Sequence, residues 1–181
     1  YTLLNIYTVY LLLFGITAII VIFNLFLYFK VKERVYAYYV GYGFFNLIYI
    51  INISGILVYL DMQYYIYKLQ CTASFMIGFL VLFSVEILEM KKYLPKIGKA
   101  APYLSLPDFF FGIMILFQYQ PWNKMINNYA GIMSLVLIVL SIVIYLKGHK
   151  KIKYYILAMV TFFTFVTLFT FMVAGLLEYA F

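Results

Sequence analysis

The chain is 181 residues long, 67% hydrophobic, 23% aromatic and only 10% charged, with a formal net charge of +7. A water-soluble domain of this length cannot hide so much apolar surface, so the composition excludes a soluble globular enzyme and points to a membrane protein. The positive balance does not indicate a nucleic-acid partner, because the cations are divided among short turns and no aromatic and basic recognition module accompanies them.

A hydrocarbon core of about 30 Å is crossed by about 20 residues of helix, at about 1.5 Å per residue. Residues 1–29 and 35–60 are uncharged and long enough to cross. They are followed by 69–90, apolar as far as Glu86, and by 100–120, interrupted only by Asp108. The last two candidates are 125–146 and 154–180, the latter uncharged through Leu177. The sequence therefore predicts an all-α fold, a polytopic transmembrane helix bundle of six spans forming one domain over 1–181. Runs such as "LLLFGITAIIVIFNLFLYF" are continuous rather than alternating, which excludes a β-barrel.

Short loops rich in Lys and Arg stay in the cytoplasm. The first, third and fifth linkers carry Lys30, Lys32 and Arg34; Lys91, Lys92, Lys96 and Lys99; and Lys147, Lys150, Lys151 and Lys153. Only Lys68 and Lys124 lie in the alternate linkers, so eleven of thirteen cations fall on one side and the amino terminus is expected outside. Aromatic residues flank the turns as interfacial belts, among them Tyr36, Tyr38, Tyr59, Tyr64, Tyr65, Tyr67, Trp122, Tyr129 and Tyr154. The chain starts at Tyr1 without a methionine and stops at Phe181 directly after an apolar run, and so reads as an excised domain.

The stretch "FNLFLYFKVKERVYAYYVGY" resembles the start of the membrane domain of the bacterial seven-transmembrane receptors with diverse intracellular signalling modules. "LEMKKYLPKIGK", where a Leu-Pro step follows a basic pair, is similar to that family's turn between its third and fourth spans. The resemblance implies an upstream extracytoplasmic ligand-binding module and a seventh helix, absent from this chain. It also implies a downstream cytoplasmic signalling module, such as a cyclase, kinase or phosphatase. It further implies a bacterial inner-membrane location and admits a homodimer.

Polar side chains inside a bilayer are costly, so their positions carry information. Tyr10, Thr17 and Asn24 recur every seven residues in the first span, and Tyr39, Tyr42, Asn46 and Tyr49 share a face of the second. These faces serve either as interhelical hydrogen-bonding glue or, at Asn24 and Asn46, as a junction that repacks on signalling. Asp108 is the one ionisable residue well inside a span, and Pro102 and Pro107 predict a break in its helix. It is read either as a functional acid in a polar cavity or as an interfacial residue bonded locally.

Glu89 and Lys92 have the spacing of a helical ion pair beside Glu86 and Lys91. Thr161, Thr164, Thr167 and Thr170 are expected to bond back to their own helix. His149 is expected on a solvated turn, and Cys71 has no disulfide partner. Asn52, Ile53 and Ser54 spell a glycosylation acceptor by letter only, since they fall inside a predicted span. No phosphate loop, nucleophile triad or metal-ligand set can be assembled, so no enzyme activity and no cofactor are expected. The two readings left are a receptor's transmembrane transducer and a small transporter or channel using Asp108 and the proline-broken fourth span. Paired broken segments in two repeated halves, the mark of many transporters, are missing from the sequence.

Overall fold

A computed structural model describes residues 2–117 and 121–173, and all of its described elements are helical. The far ends of the predicted fourth and sixth spans, residue Tyr1, and the side chains of Trp122, Lys124 and Thr170 lie outside the described residues.

Helix α1 (Thr2–Val31) ends where Lys32 takes a left-handed φ of +59° and its N–H bonds the Tyr28 carbonyl at 2.8 Å. This satisfies one of the helix's last free carbonyls and reverses the chain into α2 (Arg34–Ile53). The charged island of Lys30 to Arg34 is thus the turn of a helical hairpin. The two helices approach closely at Gly43, where a Cβ would collide with the Val21 side chain. Val21 is also the one buried hydrophobic residue on the described part of α1, whose other large apolar side chains point mainly outward. An apolar outer surface of this kind suits lipid rather than water.

Helix α2 stops at Ser54, whose hydroxyl donates to the Ile51 carbonyl, and Gly55 (φ +76°) redirects the chain into two short helices, α3 (Ile56–Tyr59) and α4 (Gln63–Leu69). Helix α5 (Cys71–Ile87) follows and packs on α2, on a later helix pair and on α4, so it is the centre of the bundle. Its sequence is apolar almost all round, and its buried residues range from Cys71 to Val85. A helix apolar on every side belongs inside a larger assembly.

The basic run that follows forms α6 (Met90–Tyr93) and α7 (Pro95–Ala100). Gly98 of α7 sits so tightly on α6 that a Cβ there would lie 2.5 Å from the Lys91 backbone nitrogen. A 3-10 turn (Ala101–Ser105) leads into α8 (Leu106–Leu116), and the chain closes with α9 (Pro121–Leu146), a short turn over Lys150–Ile152, and α10 (Lys153–Val173). Neighbouring helices pack in the order α1, α2, α5, α8, α9 and α10. The main apolar core joins α5, α9 and α10 through Val81, Val85, Leu88, Leu137, Ile144 and Met159.

Among the described residues, three stretches are long and apolar enough to cross a membrane: Thr8–Val31, Tyr64–Ile87 and Tyr129–Leu146. The regions predicted as second and fourth spans are helical but interrupted, by Gly55 in one and by the proline-containing 3-10 turn in the other.

Candidate functional site

Two prolines shape the polar centre. Pro102 and Pro107 bring no backbone N–H, and a carbonyl three or four residues before each loses its helical donor. Side chains make up the difference. The Tyr129 hydroxyl of α9 donates to the Leu104 carbonyl, three residues before Pro107, at 2.6 Å, while within the turn Ser105 Oγ bonds back to the Pro102 carbonyl at 2.7 Å. From α5, Ser74 Oγ donates to the main-chain carbonyl of Asp108. The break in the chain is therefore stapled on both sides by hydroxyls of neighbouring helices.

The Asp108 side chain lies at the start of α8, fully buried, and neither carboxyl oxygen has a hydrogen-bond partner among the described residues. Asp108 faces α5, with its Cβ beside Gly78. An unsatisfied buried polar group costs about 1–3 kcal/mol, so the position is expensive as it stands. Asn52 Oδ1, near the opposite end of α2, is the other buried side-chain oxygen left without a partner among the described residues.

Around Asp108 the helices meet as phenylalanines over glycines. Phe79 of α5 covers Gly41 of α2, Phe109 of α8 covers Gly78 of α5, and Phe75 of α5 covers Gly112 of α8; a Cβ at these glycines would approach the rings to 2.5, 3.1 and 2.9 Å. Phe45 stacks on Phe75 and Phe79 with centroids 5.0 and 5.7 Å away, and Phe79 meets Phe109 edge-on at 5.3 Å. Such aromatic pairs add about 0.5–1.5 kcal/mol each beyond area burial. Sequence reasoning missed this seam. The signal available was the recurrence of Gly and Phe in the second, third and fourth predicted spans, but pairing them needs the tertiary structure.

The other predicted residues are more dispersed. Asn24 Nδ2 donates to the Ile20 carbonyl of its own helix at 2.8 Å, so its amide is spent within α1. Asn46 is partly buried on α2. Tyr42 packs against the main core and lies 6.0 Å from the Tyr39 ring. Thr161, Thr164 and Thr167 each bond the carbonyl four residues before them. A side-chain hydrogen bond from α10 to α5 comes instead from Tyr155, whose hydroxyl reaches Ser84 Oγ at 2.7 Å while Ser84 bonds the Leu80 carbonyl.

At the basic end the expected pair is present, with Lys92 Nζ 2.9 Å from Glu89 Oε2. That hydrogen bond is the main reason the Glu89 carboxyl lies below the usual Glu range. His149 departs from expectation. It is 8% exposed rather than solvated, its ring stacks on Tyr93 with centroids 4.9 Å apart, and its Nε2 is 3.9 Å from Glu89 Oε1. The reason is Gly148, whose φ of +104° curls the turn back over α6, where Lys147 Nζ also bonds the Tyr93 carbonyl at 3.2 Å. The turn after α5 and the turn after α9 are thereby clasped together. The lysine-rich composition had concealed a stacking partner 56 positions away in sequence.

These features define a polytopic α-helical membrane protein with its polar chemistry buried between helices. Among the described residues no three His, Cys, Asp or Glu side chains gather as a metal site. The family model described as 7TM diverse intracellular signalling matches residues 6–181, and the chain belongs to that family. The resemblance read from "FNLFLYFKVKERVYAYYVGY" is borne out by this match. Comparison with curated proteins and with solved structures yields no match.

Proposed function

We propose that this chain is the transmembrane sensory and transducing part of a bacterial receptor, relaying an extracytoplasmic binding event to a cytoplasmic signalling module by rearranging packed helices. In this reading six segments cross the inner membrane, the amino terminus is outside, and the lysine-rich end faces the cytoplasm. Membership of a signalling family supports the general role. The observation that carries the mechanism is the proline-broken segment before α8, held by hydroxyls from α5 and α9 around an unpartnered Asp108. A signal can shift such a junction only by binding one arrangement better than the other, and a costly unsatisfied acid lowers the gap between arrangements.

Asp108 also supports the second reading, a transporter or channel. Against it, Phe75, Phe79 and Phe109 fill the space beside Asp108, an arrangement suited to a shifting contact rather than a conduit. The test is output of the full-length receptor in cells. Asp108→Asn is expected to change basal or stimulated output more than Asp108→Glu, with normal membrane insertion of both. Wild-type output from both variants, or solute flux through reconstituted protein that Asp108→Asn abolishes, would sink the transducer reading.

A further inference from the structure

The basic end carries eleven Lys and Arg against three carboxylates, Glu33, Glu86 and Glu89. Among the described residues only Lys92 of the eleven forms an ion pair with one of them. Some of the rest are otherwise engaged: Lys147 with the Tyr93 carbonyl, Lys150 over the Tyr145 ring, and Lys153 over the Tyr154 ring. Lys96 and Lys99 are exposed and make no hydrogen bond or ion pair among the described residues.

These two lysines stand on α7, and the same exposed surface continues through Ile97, Tyr103 and Leu106, which are 44%, 69% and 57% exposed. Buried residues alternate with them along the same run: Gly98, Ala101, Ser105 and Asp108 face inward. Residues 96–106 are thus one amphipathic strip whose outer side is cationic at α7 and apolar toward α8. Gly98 packs directly on the α6 backbone, so the helix that carries the two lysines lies against α6.

We propose that this strip is a docking surface for an anionic phospholipid, whose phosphate is held by Lys96 and Lys99 and whose acyl chains run along Ile97, Tyr103 and Leu106. Two physical points choose a lipid over a soluble anion. Lys96 and Lys99 are uncompensated among the described residues, and the apolar half of the strip has a hydrocarbon partner in any bilayer that α8 and α9 enter. Lysines near a membrane surface attract anionic headgroups at a strength equivalent to about fivefold in affinity per residue. The proposal depends on the chain being embedded in a membrane and not on its being a transducer.

The test uses the full-length protein reconstituted in phosphatidylcholine nanodiscs containing a trace of labelled phosphatidylglycerol or labelled phosphatidylcholine, with energy transfer from the protein reporting lipid at its surface. Wild type is expected to enrich phosphatidylglycerol severalfold, and Lys96→Gln with Lys99→Gln to bring that enrichment down to near parity. Lys96→Arg with Lys99→Arg keeps the charge and is expected to keep the enrichment, which separates charge from misfolding. Lys147→Gln with Lys150→Gln is expected to leave it nearly unchanged. Equal enrichment in wild type and the Gln pair would overturn the proposal, as would its loss in the Arg pair. Displacement of the labelled lipid by soluble glycerol phosphate as readily as by phosphatidylglycerol vesicles would also overturn it, assigning the site to a free anion.

Discussion

The Tyr129 hydroxyl bonds the Leu104 carbonyl at 2.6 Å, the acceptor that residue 107 would serve in the register of the preceding 3-10 turn and that Pro107 cannot, because proline has no N–H. A residue on α9 thus completes the backbone bonding of the segment before α8, and the two helices share a bond that belongs, in an unbroken helix, to one of them.

Tyr129→Phe should expose the cost of that arrangement. Interhelical hydrogen bonds in membrane proteins average about 0.6 kcal/mol and reach about 1.7 kcal/mol, and an orphaned backbone acceptor belongs at the upper end. Unfolding in mixed micelles should show a loss near the upper figure, with Thr161→Val as a control near zero because that hydroxyl bonds only its own helix. Equal losses in the two variants would mean that the Leu104 carbonyl finds another donor.

The glycines of the helix seams should rank by what an added methyl meets. Gly98→Ala drives a Cβ to 2.5 Å from a backbone nitrogen, which cannot swing aside, and overpacking of this kind typically costs about 1–3 kcal/mol. Gly112→Ala meets a phenylalanine ring at 2.9 Å and should cost less than Gly98→Ala. Gly15→Ala meets nothing within 4 Å on α1 and should be neutral or stabilising by up to about 1 kcal/mol through helix propensity. Thermal unfolding of the three variants gives the order directly.

Asp108→Leu should stabilise the isolated protein while damaging its response. Removing a buried group with no partner relieves a penalty of about 1–3 kcal/mol, offset in part by the leucine's poorer fit beside Gly78. A higher unfolding midpoint together with flattened receptor output is the expected result. A lower midpoint with intact output would show that the acid has a structural partner.

His149→Ala should loosen the clasp at the basic end, whereas His149→Phe should retain most of it, since the stacking on Tyr93 outweighs a 3.9 Å approach to Glu89. Hydrogen exchange of residues 89–94 and 148–152 reports this, with faster exchange in the Ala variant only.

Acid should weaken the Glu89–Lys92 pair in a defined direction. The folded carboxyl lies below the usual Glu value of about 4.3 because of the bond from Lys92, so its contribution is complete above that value and disappears as pH falls through the folded one. Both side chains are largely exposed, so the effect is small. The difference in unfolding midpoint between wild type and Lys92→Gln should be present at neutral pH and absent in strong acid.

Much of the architecture is legible in the sequence because it is written in local terms. Charge clusters mark the hairpin at Lys32 and the basic end, and prolines mark the break before Asp108. What sequence could not supply are contacts between residues far apart in the chain. Phe79 over Gly41, Tyr155 on Ser84 and Tyr93 on His149 each join separate helices or turns, and apolar composition is the same whichever ring meets whichever glycine. The burial of Asp108 is not written locally for a related reason: the 3-10 turn begins among polar and small residues, and the packing of α5 and α9 around it encloses the side chain.

The phenylalanine sockets are sterically lopsided. One helical turn, about 5.4 Å, before Gly41, Gly78 and Gly112 stand Ala37, Ser74 and Asp108; one turn after them stand Phe45, Leu82 and Leu116. Since α5 runs opposite to α2 and α8, all three smaller neighbours lie in the path of one movement, α5 sliding toward the lysine-rich end, and all three bulky ones obstruct the reverse. A slide of α5 by one turn toward the lysine-rich end thus meets less side-chain bulk than a slide the other way, and in both directions the glycine sockets are lost.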